Sequence, residues 1–375
     1  MKKIIIIILV LVLLTLVMGL IFHSNLIIIE NVANPEIALT ENKENEVENE
    51  IMTIEVEEEK WEWQIDLPEN HNINKNVLET LHRQLDSYPI NSSVIVKDGV
   101  IVDEYYKQGY NEESVFTLQS CSKSVTSALI GIAIDKGYIE SVNTPISNYF
   151  PQILESNNQY LKEITIWHVL THTTGLNSSD TANWTEWLQS SNWVDYVLNR
   201  PSIAKPGTTF SYFTGNTHLL SAILQQATGK TAYEFGKEYL FDPLDMESVE
   251  CKVDPQGISD GGNGFAMNVY DMAKFGELFL NKGKWNDEQI ISEQWITDST
   301  SLQFDRQSGS ADYGYQWWVR TFGEKQYKAY FAQGHGGQYI FVVPELELVV
   351  VFTSNYTGST SIYWQYVNDI VNACN

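Results

Sequence analysis

The chain has 375 residues, 43% of them hydrophobic and 12% aromatic, which supplies a large folded core and excludes a disordered chain. Its formal net charge of −25 would repel a phosphate backbone, and no basic patch offsets it, so composition argues against nucleic acid as a partner. Cys121, Cys251 and Cys374 are odd in number and widely spaced, which offers neither a disulfide framework nor a cysteine pair for a metal.

At the N-terminus, Met1-Lys2-Lys3 precedes an uncharged apolar run from Ile4 to Phe22. At about 1.5 Å per residue a helix of that length spans a bilayer. Residues 1–23 therefore read as a membrane anchor with its lysines on the cytoplasmic side, the alternative being a cleaved signal peptide with a weak site at Val17-Met18-Gly19. Either reading places the remainder outside the cytoplasm, as a membrane-anchored or secreted domain. Residues 24–60 turn rich in Glu and Asn, as in ENKENEVENE; such self-repelling sequence reads as an acidic linker.

A folded domain is expected over residues 61–375. KNVLETLHRQLDSY has helical spacing, and SSVIVKDGVIVDEYYK reads as a hairpin turning at Asp98-Gly99. QSCSKSVTSALIGIAIDKGY, from Gln119 to Tyr138, reads as one continuous helix. Helical stretches and loops then run to about Gln303, among them GNTHLLSAILQQATGK, AYEFGKEYLFDPL and NVYDMAKFGELFLNKGKW. Strand character returns in YGYQWWVR, KQYKAYFAQ, QYIFVVP and LELVVVFTSN before an amphipathic helix in SIYWQYVNDIVNAC. Strands at both ends with helices between predict an α+β domain: an antiparallel sheet joined by its two termini, with a helical subdomain inserted.

The chemistry concentrates at Ser120 and Lys123. Three residues apart on a helix, they share one face, and a lysine entering an apolar helix loses hydration unless it is paired or used. Ser120 also sits near the helix N-terminus, where backbone N–H groups favour developing negative charge. The bland alternative is a serine that only caps the helix. A second Ser-x-x-Lys, Ser202 to Lys205, is flanked by Pro201 and Pro206, which break the helix such a pair would need. Downstream, KPGTTFSYFTGNTHLLSAIL places Tyr212 after a Pro-Gly turn and Asn216 beside an apolar helix, and AQGHGGQYIFVV places His335, Gly336 and Gly337 at the entry to a strand.

Taken in order with HVLTHTTGL at His168 to Leu176 and GGNGFAMNVYDMAKFGELFL from Gly261, these motifs resemble the serine β-lactamase and penicillin-binding-protein superfamily, in its class C-like esterase and amide-hydrolase branch. The resemblance runs from about Leu78 to the C-terminus and implies a β-lactamase-like fold. It also implies that Ser120 is an acyl-accepting nucleophile, that Lys123 and Tyr212 supply its base, and that the backbone N–H groups of Ser120 and Gln338 form an oxyanion hole. His335, Gly336, Gly337 and Asn216 would contact substrate. A lysine becomes a base only where desolvation depresses its pKa, and a phenol only beside a cation; the sequence leaves both open.

Two departures bear on the substrate. The second motif is commonly Tyr-x-Asn, whereas Tyr212-Phe213-Thr214-Gly215-Asn216 puts threonine two places on and asparagine four. The third is His335-Gly336-Gly337 in place of Lys-Thr-Gly, exchanging a permanently charged group for one that loses its charge near neutral pH. Small ester, amide or peptide substrates, hydrolysed without a cofactor, are therefore expected. The alternatives are a β-lactamase or D-amino-acid peptidase acting near the cell wall, and a catalytically silent sensor or scaffold of the same fold. His168 and His172 have the i, i+4 spacing of a zinc pair, but Val169 stands where a metalloprotease has glutamate, so packing is expected and no metal. ATGKT lacks the upstream glycine of a phosphate loop and reads as a helix end. Trp184, Trp187, Trp193 and Tyr196 read mostly as core, with some available to wall an acyl pocket.

Overall fold

The computed structural model describes residues 61–178, 181–306 and 311–374. The apolar run at residues 4–22 and the acidic segment at 24–60 lie outside the described residues; among the described residues no helix is long and apolar enough to cross a membrane.

The expected hairpin forms from β1 (Ile90–Lys97) and β2 (Val100–Tyr106). Asp98 and Gly99 both take positive φ, 55° and 79°, the backbone that lets a two-residue turn follow the strand twist. Short β3 (Phe116–Thr117) pairs with β5 (Phe265–Met267), which also pairs with β4 (Glu250–Cys251). Runs of two or three residues carry no readable alternation, and this small sheet was not expected from the sequence. A second ribbon joins β6 (Lys284–Trp285) to β7 (Glu288–Gln289). The C-terminal strands are β8 (Asp312–Tyr313), β9 (Trp318–Phe322), β10 (Tyr327–Gly334), β11 (Gln338–Val343) and β12 (Leu348–Ser354).

The main sheet has the order β2-β1-β12-β11-β10-β9-β8. Its pairings are antiparallel, and β1 meets β12 with Val94 opposite Val351, so the two ends of the folded domain join within one sheet, as expected. The central strands β11 and β12 are buried on both faces. Along β12, Leu348, Val350 and Phe352 enter one core while Val349 and Val351 enter the other, the period-two alternation of a pleated strand.

One face carries the terminal helices. Helix α1 (Lys75–Leu85) buries Leu78, Leu81 and Leu85, and its first turn is capped by Asn74, whose side chain accepts the Asn76 N–H at 3.0 Å. The C-terminal helix α5 (Ser361–Ala373) buries Tyr363, Tyr366, Val367, Ile370 and Val371 on the same face. Burying each leucine contributes about 2 kcal/mol, which a two-sided sheet needs on both faces. The other face carries α2 (Ser122–Asp135), α3 (Thr214–Thr228) and α4 (Val269–Leu280). A Cβ on Gly276 of α4 would come within 2.6 Å of Val349, so glycine there lets the helix lie directly on the sheet.

Two helices differ from expectation. The stretch from Gln119 to Tyr138 is a 3-10 turn, Gln119–Cys121, leading into α2. Leu118 donates its N–H to Phe265 at 2.8 Å, so the chain arrives extended and must turn sharply, with Gln119 at φ 51°. The stretch AYEFGKEYLFDPL is α-helical only over Ala232–Gly236; a wider turn follows at Lys237–Phe241 and a 3-10 turn at Asp242–Leu244, where Pro243 stops α-helical bonding.

Candidate active site

Ser120 lies in the turn that Gln119 forces, and Lys123 follows in the first turn of α2, almost wholly buried at 1% exposure. Lys123 Nζ is 2.9 Å from Ser120 Oγ. Two further oxygens surround that nitrogen: Thr214 Oγ1 at 3.1 Å, from the start of α3, and the Gly262 carbonyl at 2.9 Å, from the turn before β5. Burial pushes the Lys123 pKa down to about 7, against the opposing pull of the Asp260 carboxylate. The amine is thus held where loss of its proton is accessible at neutral pH.

Tyr212 precedes α3, with its ring centroid 5.2 Å from Lys123 Nζ. Burial raises its phenol well above the ordinary value, although a hydrogen bond with Ser120 pulls the other way. The phenol therefore keeps its proton where Lys123 loses one. Its ring stacks on Trp318 at 5.8 Å and rests against the buried His172 at 4.6 Å.

His172 explains the HVLTHTTGL segment. Its carbonyl accepts the Ser211 N–H at 2.8 Å, Thr173 accepts from Gly207 at 2.8 Å and Gly175 from Ile203 at 2.8 Å, so the segment zips along the loop that delivers Tyr212. Gly175 has φ 73°, and a Cβ there would lie 2.2 Å from the Ala204 carbonyl oxygen. His168 Nδ1 accepts the Thr165 N–H at 3.0 Å, whereas His172 Nδ1 meets the amide of Asn216, 44 positions along the chain, at 3.5 Å.

Gln338, the first residue of β11, is brought beside the Ser120 turn: the Cys121 thiol, next in chain to Ser120, donates to the Gln338 carbonyl at 3.3 Å. The Gln338 side chain donates from Nε2 to the Ser354 carbonyl at 2.5 Å, which fixes that strand end. His335 is exposed in the turn from β10 to β11, with Gly336 at φ 79° and Gly337 at φ 92°. The space beside Gly337 is occupied by the Tyr363 hydroxyl, 1.9 Å from where a Cβ would stand, so this glycine serves the turn and its packing on α5.

Asn216, expected to contact substrate, has its side chain among other partners. It lies two residues beyond Thr214 on α3, about 200° around the helix, and is 1% exposed. Its amide meets Thr174 Oγ1 and His172 Nδ1, each at 3.5 Å, instead of the site. Thr214 takes the place beside Lys123. Sequence reasoning also passed over Asn263, whose Oδ1 accepts from the Ser120 hydroxyl at 3.2 Å. The signal was present in GGNGF, a polar residue between glycines ahead of a strand, but its partner lies 143 positions away. The second Ser-x-x-Lys stays apart: Ser202 accepts from Asn158 at 2.8 Å and Lys205 pairs with Glu163 at 3.8 Å on the surface. Trp187 and Trp193 are core, whereas Trp184 is partly exposed. Gly229, at φ 73°, ends α3 as a helix cap.

Residues 90–365 match the family model described as Beta-lactamase. The chain belongs to the Beta-lactamase family. It is 22% identical to the 6-aminohexanoate-dimer hydrolase of Paenarthrobacter ureafaciens over 317 residues, covering 76% of this chain and 78% of that protein. Among solved structures it resembles the octameric penicillin-binding protein homologue of Pyrococcus abyssi, with a TM-score of 0.65 and 20% identity over 80% of this chain and 78% of that one. It also resembles a class C β-lactamase of Rhodobacter sphaeroides, with a TM-score of 0.63 and 16% identity over 79% of this chain and 97% of that one. The fold expected from the sequence, an antiparallel sheet between terminal helices and a helical region, is the β-lactamase fold of these neighbours, and the family is one of hydrolases.

Proposed function

We propose that this Beta-lactamase family member is an extracytoplasmic serine hydrolase, held at a membrane by residues 4–22, that cleaves ester or amide bonds through an acyl-enzyme on Ser120. The observation that carries the reading is the buried Lys123 amine, 2.9 Å from Ser120 Oγ and with its pKa lowered by desolvation to about 7. When that amine is neutral, its two N–H groups satisfy Gly262 and Thr214, and its lone pair is left for the Ser120 proton. Rotation of the hydroxyl from Asn263 to Lys123 moves that proton into line.

Lys123 then takes the Ser120 proton as Oγ bonds to the substrate carbonyl carbon. The oxygen that gains charge would be received by the N–H groups of Ser120 and Gln338. Tyr212, protonated at neutral pH, donates to the departing alcohol or amine as the ester or amide bond breaks, and the proton held by Lys123 passes back to it, so that the amine is again neutral and the phenol protonated. Water repeats the sequence on the acyl-enzyme, releasing the acid and restoring Ser120.

The substrate reading rests on His335. Penicillins and cell-wall peptides carry a distal carboxylate, to which a neutral histidine offers a weaker hydrogen bond than an ammonium does. Short esters and unhindered amides make no such demand, and the relative named for hydrolysis of an amide dimer supports that class. The test measures kcat/KM for a p-nitrophenyl short-chain ester and for a chromogenic cephalosporin on one preparation, together with intact-mass detection of a fluorophosphonate adduct. Ester turnover with adduct on Ser120, both lost in Ser120→Ala, is expected. A preference for the cephalosporin would replace the esterase reading with a β-lactamase one, and undiminished turnover in Ser120→Ala would remove the mechanism.

A further inference from the structure

The GGN turn is built around a carboxylate that the proposed reaction does not use. Asp260 is 7% exposed, and its Oδ1 accepts the N–H of Gly262 at 3.1 Å and of Asn263 at 3.2 Å. Its own backbone closes the same turn: its N–H donates to Lys252 at 2.8 Å and its carbonyl accepts from Gly264 at 2.8 Å. There is no room for side chains around it. A Cβ on Gly262 would stand 2.4 Å from Thr214 Cγ2, and one on Gly264 would stand 2.7 Å from Asp260 Cβ. The two residues whose N–H groups Asp260 holds are those that reach the site, Gly262 through its carbonyl to Lys123 and Asn263 through its side chain to Ser120.

We propose that Asp260 is the positioning residue of this site, shaping the turn that presents Gly262 to Lys123 and Asn263 to Ser120 while holding a negative charge toward the buried amine. The proposal rests on the reading of Ser120 as nucleophile and Lys123 as base. Four titratable groups face Lys123: Asp260 from the turn, Cys121 from the start of its own helix, Tyr212 from the loop before α3, and His172 beyond that ring. Burial raises the Cys121 thiol and the Tyr212 phenol and lowers the His172 imidazole, so those three are neutral at pH 7. Among the four, the Asp260 carboxylate is the one whose pull chiefly opposes desolvation at Lys123. Without it, desolvation of Lys123 would lose its main opposition, and the proton affinity of the amine would fall further below that of an ordinary lysine, where a base is weaker.

Asp260→Asn separates shape from charge, because the amide Oδ1 still accepts both N–H groups. In full-length protein carrying 13Cε-labelled lysine, the Lys123 resonance, assigned by its loss in Lys123→Met, is titrated in native and variant proteins. The expected result is a midpoint lower by about one pH unit or more in Asp260→Asn. The acid limb of kcat/KM for the ester should move the same way, with the thermal transition retained. Asp260→Glu should return the midpoint toward the native value. An unchanged or raised midpoint in a folded Asp260→Asn would overturn the proposal, reducing Asp260 to a turn-former. Should Asp260→Asn fail to fold, Asp260→Ser, neutral and still an acceptor, takes its place under the same criterion. The titration needs no turnover: absence of ester hydrolysis in the native protein would refute the functional reading alone, and the Lys123 midpoint would still judge Asp260.

Discussion

Thr214 Oγ1 lies 3.1 Å from Lys123 Nζ, in the place where the sequence suggested that an asparagine would be needed. A hydroxyl there can do for the amine what an amide oxygen would do: it accepts one N–H, which in the proposed reaction leaves the lone pair for Ser120. Thr214→Val keeps the shape and removes the acceptor. It should cost about 1–3 kcal/mol in the acylation barrier, read as a fall in kcat with KM nearly constant, whereas Thr214→Ser should retain most activity. An active Thr214→Val would show that the amine is oriented by Gly262 alone.

The lowered Lys123 pKa makes a paired statement about activity and stability. As free base, Lys123 should give kcat/KM an acid limb with a midpoint near 7. In the unfolded chain lysine holds its proton to about 10.4, so between these values the unfolded state binds more protons and stability rises with pH. That contribution is present above the unfolded pKa and lost as pH falls through about 7. Thermal melts of native protein and Lys123→Met between pH 6 and 9 should diverge accordingly, the native protein gaining stability with pH relative to the variant. Parallel curves would mean that Lys123 titrates as an ordinary lysine.

Glu277 on α4 has the opposite sign. It is 6% exposed, its Oε1 accepts from Asn281 at 3.0 Å, and its Oε2 is buried without a hydrogen-bond partner. Burial, with Glu347 and Asp98 nearby, raises its pKa to about 7. The folded state therefore binds the extra proton, and the stability contributed is full below the unfolded value of about 4.3 and lost as pH rises through about 7. Glu277→Gln should raise Tm relative to native protein at pH 8 and by much less at pH 5. A pH-independent difference would contradict this.

Gly337→Ala tests the turn after His335. The substitution places a methyl on a residue at φ 92° and drives it into Tyr363. A loss of about 2–4 kcal/mol in unfolding free energy is expected. Because Gln338 follows directly, ester turnover should fall further than the lost folded fraction explains. Shortening the obstructing side chain in Gly337→Ala/Tyr363→Phe should recover little, since the ring carbon stands at 2.5 Å as well.

The sequence by itself determined the elements whose signal is local. Alternating β-branched residues around Asp98-Gly99 made a hairpin, the leucines of α1 marked one helical face, and Ser120 and Lys123 met because three residues separate them along the chain. The order of motifs was sufficient to reach the family and its antiparallel sheet between terminal helices. Spacing could not carry what depends on distant chain segments. The helix expected at Gln119 was broken by a hydrogen bond from Leu118 to Phe265, and Thr214, not Asn216, reached Lys123 because helical rotation turned the asparagine toward Thr174. Asn263 came to Ser120 from 143 positions away. The proton affinities of Lys123 and Tyr212 were likewise set by tertiary structure: a lysine and a tyrosine are both basic candidates in a sequence. Only burial, which penalises whichever form is charged, lowers one proton affinity and raises the other.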